Sequence, residues 1–309
     1  MIIDDNLTLV EIEPEDIDIN GKCVVPYGVL TIATTAFQYN KTIHSIVLPN
    51  SVTQIQKAAF EGCANLQHIN LPKQLDEISD RIFFNCSKLK DISLPSNIVR
   101  IGDCAFHGCV EITHVAIPDS VKDIGVYAFR YCQDLKSIQM PKYLSLIDDS
   151  TFEYCTELES IQIPDGVTFI SAWAFRGCEK LSHLVLPETL QSIDSCAFAS
   201  CKSLKKINFP KNVEFINIRA FENCTQLLTV TISSPEVRIA SQAFNDCSNL
   251  RTVMLPQSAQ VERDVFADCH PDLIINNTTP STALFEKAIN SKMSDATHLE
   301  APILDENER

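Results

Sequence analysis

The sequence predicts an α/β repeat solenoid, a horseshoe or arc with a parallel β-sheet on its concave side and short helical or 3₁₀ turns on its convex side. Three observations carry this. Phe falls at 37, 60, 83, 106, 129, 152, 175, 198, 221 and 244, every step 23 residues, and Phe266 follows after 22. Cys stands three residues past each Phe from Phe60 to Phe266, with Asn40 in the first unit. Pro stands twelve past in nearly every unit, Ser233 being the exception. A fixed period of this length marks a stacked array, because one unit of that size cannot bury its apolar side chains alone.

Each part of the unit has a local reason. The segment nine to eleven residues past Phe, as in Ile69-Asn70-Leu71, alternates apolar and polar residues and predicts a short strand. Equivalent strands one unit apart pair in parallel. Pro then ends the ladder, since it has no N–H to donate. A second apolar pair, Val167 and Ile170 for example, predicts a return edge that fills the core. The Ala-Phe-x-x-Cys segment suits one tight helical or 3₁₀ turn.

Residues 1–20 alternate apolar and acidic residues and predict an acidic N-terminal cap with a charged outer face. Residues 21–276 predict a solenoid of about eleven 23-residue units. Residues 277–309 predict a terminal helix, started by Ser281 or Thr282, and a disordered acidic tail.

The unit A-F-x-x-C-x-x-L-x-x-I-x-L-P-x-x-V-x-x-I resembles the BspA-like type of leucine-rich repeat. It departs from the commoner leucine-rich pattern in having Pro after the strand and no Asn ladder. The resemblance implies a rigid binding scaffold, often with adhesion or host-interaction roles at a surface. A surface adhesin or a delivered effector is therefore one expectation. An intracellular scaffold is another, because no basic, apolar leader precedes the array. Cytoplasmic location is the default expectation, with leaderless export to the cell surface or into a host cell as the alternative.

Charge and composition bound the function. The chain of 309 residues carries a net charge of -15, with seven acids and no base in residues 1–20. Such a chain repels phosphates, so nucleic acid and anionic membranes are not expected partners. No stretch approaches the length of a membrane span. Ten of the 13 cysteines belong to the repeated column, and no C-x-x-C pair occurs. The column reads as small buried hydrophobes rather than as metal ligands or disulfides, which also favours a reducing compartment. Catalytic signatures such as G-x-S-x-G, H-E-x-x-H and the phosphate-binding glycine loops are absent, and no cofactor is expected.

The candidate binding residues flank the inward strand residue at offsets eight and ten from Phe. They are Ser45, His68, Asn70, Asp91, Ser93, His114, Ser137, Gln139, Ser160, Gln162, His183, Lys206 and Asn208. These positions vary where the core is fixed, and they are polar, short and nearly uncharged. A protein partner is expected on this face, with a glycan as the alternative ligand, and the chain itself is expected to be a monomer. His68, Asp91 and His114 fall on three successive rungs, a set that could bind a divalent metal or titrate as a unit. The competing class is a parallel β-helix carbohydrate-active enzyme. The strand face offers only Asp91 and Lys206 for that chemistry, five rungs apart.

Overall fold

The computed structural model describes residues 1–278, so the predicted helix from Ser281 and the acidic tail lie outside the described residues. The chain winds as a parallel-stranded solenoid. Twelve rungs of the strand face are described, from Lys22–Val24 to Ile274–Thr278, with Asp91 joined to His68 by a single bridge. Successive rungs pair in parallel one repeat apart, for example His114 with Ser137 and Lys206 with Thr229. A second set of two-residue strands forms the return edge, for example Leu146–Ile147 against Phe169–Ile170.

Residues 1–20 are wound into the start of this array. Thr8–Glu11 pairs in parallel with Thr31–Ile32 and antiparallel with Ile2–Ile3. Among the described residues the one helical segment is a 3₁₀ turn at Pro14–Asp16. None of their helices is long and apolar enough to cross a membrane.

One core runs through the stack. The Phe column from Phe37 to Phe244 is buried, and neighbouring rings lie 5.0–5.6 Å apart between centroids. Most of these pairs are offset stacks. Isoleucine and leucine of the strand, the return edge and the linking segments close around them, and the Cys column is buried beside the rings. All 13 cysteines are free.

The expected helical turns are replaced by a different backbone. In the coil of Phe60, Glu61 N–H bonds to Ala58 O at 3.2 Å and Cys63 N–H to Phe60 O at 3.1 Å, as in tight turns. The alternate amides point along the stack: Ala58, Phe60 and Gly62 donate to Asp80, Ile82 and Phe84 of the next coil at 3.0, 3.1 and 2.7 Å. A helix needs all of its amides along its own axis, so this segment cannot be one. Left-handed residues two before and two after Phe break the helical path, as at Arg81 (φ 55°) and Asn85 (φ 57°). The turn side is therefore a third inter-coil ladder.

Candidate interaction face

The strand face exposes the predicted columns. Ile46, Ile69, Ile92, Val115, Ile138, Ile161 and Ile207 point into the core. None of the thirteen flanking residues is buried. Pairing sets Ser45 beside His68, Ser137 beside Ser160, and Ser160 beside His183. Gln139 and Gln162 follow one another on adjacent rungs, as do their counterparts further on, where Asn208 pairs with Thr231.

The face is divided into blocks. Rungs 22–69 form one sheet, 114–185 a second and 206–278 a third. Among the described residues no ladder joins Asp91 to His114, or His183–Val185 to Lys206–Phe209. Where the first ladder stops, the Asn70 side chain takes the place of backbone. Its Oδ1 accepts from Leu48 N–H at 3.0 Å and its Nδ2 donates to Leu48 O at 2.9 Å. This satisfies both polar groups of Leu48, which would otherwise go unpaired.

An open depression of about 640 Å³ lies over this interruption, lined by Ser45, His68, Asn70, Asp91, Ser93 and His114 among others. The His114 ring nitrogen Nδ1 stands 2.9 Å from Thr113 Oγ1, and Nδ1 of His183 lies 3.0 Å from Ser182 Oγ. Asp91 has no ion-pair partner among the described residues. Nor does any group of three His, Cys, Asp or Glu residues come together there as a metal cage, so the metal expectation for His68, Asp91 and His114 finds no support.

The turn side carries a feature the sequence reading passed over. Arg81 lies over the Phe84 ring at 4.0 Å, and Phe84 stacks on His107 at 4.6 Å. His107 meets the edge of Tyr131 at 5.5 Å, and Tyr131 stacks on Tyr154 at 5.0 Å. Arg130 caps Tyr131 at 4.7 Å and Arg176 caps Tyr154 at 5.7 Å. Two buried carboxylates hold the guanidiniums from below. Glu61 accepts from Arg81 Nε and Nη2 at 3.0 and 2.7 Å, and Glu153 lies 2.6 Å from Arg130 Nε and 3.5 Å from Arg176 Nη1. The Arg81 hydrogen bonds hold the Glu61 carboxyl below its ordinary range against the opposing effect of burial. The signal in the sequence was Tyr at offset two in two successive units, Tyr131 and Tyr154, where the other units place Gly, Asn, Ser or Asp and the first places Tyr39.

The model of the BspA type leucine rich repeat region matches residues 30–159 and 145–273. The chain belongs to this family. A leucine-rich repeat protein from Bacteroides ovatus is 26% identical, covering 86% of this chain and 70% of its own, with a TM-score of 0.77. A leucine rich cell surface protein from Faecalibacterium prausnitzii shares the fold at 21% identity, covering 89% of this chain and 94% of its own, with a TM-score of 0.54. No curated protein shows significant similarity to the chain. The family agrees with the leucine-rich solenoid that the repeat unit implied.

Proposed function

We propose that this solenoid is a non-enzymatic interaction module that binds a protein partner across its strand face. The observation that carries the reading is that none of the thirteen flanking residues is buried, over a core that is otherwise closed. The stack fixes the backbone of every rung, so a partner lying along several rungs meets a surface already ordered. Little conformational entropy is then lost on binding, and many short polar contacts suffice. The depression over His68, Asp91 and His114 offers a seat for an anchoring side chain. Asp91 and Lys206, the acid and base that a carbohydrate-cleaving β-helix would bring together, stand five rungs apart.

The test is capture from a lysate under reducing conditions, followed by reconstitution with the purified partner. The intact chain is compared with a variant carrying His68, Asp91, His114, Gln139 and Gln162 all changed to Ala. All five are exposed, so the variant should melt with the wild type. A partner that binds the intact chain and is lost with the variant supports the reading. A partner list unchanged by the five substitutions overturns it.

A further inference from the structure

We infer that the turn side carries a second interaction surface, a stripe of guanidiniums and aromatic rings over the coils of Phe83 to Phe175 that takes an acidic segment of a protein partner. Its members are Arg81, Phe84, Arg130, Tyr131, Tyr154 and Arg176.

The first argument is that the turn does not need these side chains. Tyr131 and Tyr154 sit at φ 60°, a left-handed conformation that disfavours an L-residue with a Cβ. Gly62, Gly108 and Gly177 hold the same offset in other coils, as do Ser200 and Asn223. The position beside it is Phe84, Arg130 or Arg176 here but Ala199 and Asn245 further along. The solenoid continues through those later coils with the same inter-coil bonds, Phe198 N–H to Ala220 O and Phe221 N–H to Ala243 O, both 2.7 Å. Bulk is therefore placed on the stripe against backbone preference, and tyrosine and arginine are the residue types that anchor protein interfaces.

The second argument is chemical. The stripe is rich in donors, because its guanidiniums only donate and its tyrosine hydroxyls can donate as well. Its carboxylates, Glu61 and Glu153, are 5% and 3% exposed, whereas Arg81 and Arg176 remain 43% and 44% exposed. Arg81 uses Nε and Nη2 on Glu61, which leaves Nη1 without a partner among the described residues. The hydroxyls of Tyr131 and Tyr154 likewise have none there. Each guanidinium is held between an aromatic ring and a carboxylate, which orders it before a partner arrives. The neighbouring Asp80 is engaged by Arg100 at 2.9 Å and does not compete for them. A donor-rich, ordered, cationic stripe on a chain of net charge -15 selects carboxylate oxygens of a partner by charge complementarity.

The experiment titrates the full chain, by calorimetry at low salt, with a blocked hexaglutamate peptide. A hexaglutamine peptide and a sulfated oligosaccharide run in parallel. The variants are Arg130→Gln/Glu153→Gln/Arg176→Gln, which removes the buried carboxylate together with its partners, and Tyr131→Phe/Tyr154→Phe, which keeps the packing. Arg238→Gln, on another part of the surface, is the control. We expect hexaglutamate to bind, hexaglutamine not to, and the triple variant to weaken binding about tenfold or more while the control does not. Tyr131→Phe/Tyr154→Phe should fold as the wild type and bind less tightly. Absence of hexaglutamate binding, equal binding of hexaglutamine, or indifference to both variants would overturn the inference. Tighter binding of the sulfated oligosaccharide would overturn it in favour of a glycan. The strand-face reading stands or falls separately, because none of these residues lies on that face.

Discussion

The Sγ of Cys155 donates a hydrogen bond to the carbonyl oxygen of Phe129, one coil earlier, at 3.2 Å. The relationship repeats along the column, from Cys63 to Phe37 at 3.0 Å through Cys201 to Phe175 at 3.4 Å and on to Cys269 and Phe244 at 3.2 Å. The thiol is small enough for the space beside the rings and still brings a weak donor to a buried carbonyl. That accounts for Cys at one offset in ten units without metal or disulfide. Burial pushes these thiols up, to about 12 at Cys63 and well above the ordinary value at Cys155.

Thiol reactivity should follow that geometry. Only Cys104, Cys196 and Cys269 are partly exposed, and burial raises all three as well. A raised pKa keeps the thiol protonated at pH 8, so reaction is slow even where reagent has access. Titration with a disulfide reagent at pH 8 should modify no more than these three in the native protein, the rest following only in denaturant. Rapid native modification of the whole column would contradict the packing.

Truncating the Phe column should be costly in the middle of the array. Phe152 is fully buried, with Phe129 and Phe175 5.6 and 5.2 Å away on either side. Phe152→Ala leaves a cavity between two coils and should destabilise by about 3–5 kcal/mol. Urea unfolding measures it, and a midpoint within error of wild type would place the column outside the core.

Gly177 should resist even a methyl group. A Cβ there would lie 2.6 Å from Tyr154 Cδ1, and φ is +73°. Gly177→Ala should cost about 1–3 kcal/mol. In a Tyr154→Ser background the steric part disappears and roughly 1 kcal/mol of backbone cost remains. A double-mutant cycle by urea denaturation separates the two, and strict additivity would show that the ring does not press on the glycine.

His107 makes stability depend on pH. Burial first, and then the charges of Arg130 and Arg81, lower it to about 4. In the unfolded chain it titrates near its ordinary value, about 6.5. Between these values the unfolded state binds a proton that the native state refuses. Its contribution is therefore fully present above about 6.5, is lost as pH falls toward 4, and is constant below. The loss should reach on the order of 2 kcal/mol, since the ring is partly open to solvent. The difference in urea midpoint between wild type and His107→Gln at pH 7.5 and pH 4.5 reads it directly. An identical pH response in both proteins would refute the assignment.

Much of this was legible in the sequence, because the core is a repeated demand. Every coil must supply a ring, a thiol and the same aliphatic positions, so Phe, Cys and Ile recur at fixed offsets. The strand columns were legible for the complementary reason: Ser45, His68 and Gln139 vary beside Ile positions that do not. The turn side was misread as helical because Ala-Phe-x-x-Cys has a three-residue apolar period whether or not a helix forms. The distinguishing mark was present, in Gly62, Asn85, Gly108 and Asn223 at one offset, all residues that tolerate left-handed backbone. The interruption between Asp91 and His114 was not legible. Asp91, Ile92 and Ser93 alternate as the other rungs do, so nothing in the sequence marks the break that the sheet order shows.

The most direct test of the strand face is histidine footprinting of the complex with the reconstituted partner. His68, His114 and His183 are exposed on that face, while His44 lies off the two flanking columns and His270 lies near the end of the described stack. Diethyl pyrocarbonate labelling, read by mass spectrometry with and without partner, should show one or more of the three strand-face histidines protected and His44 and His270 labelled as before. Full labelling of His68, His114 and His183 in the bound state, with protection appearing elsewhere, would contradict the account.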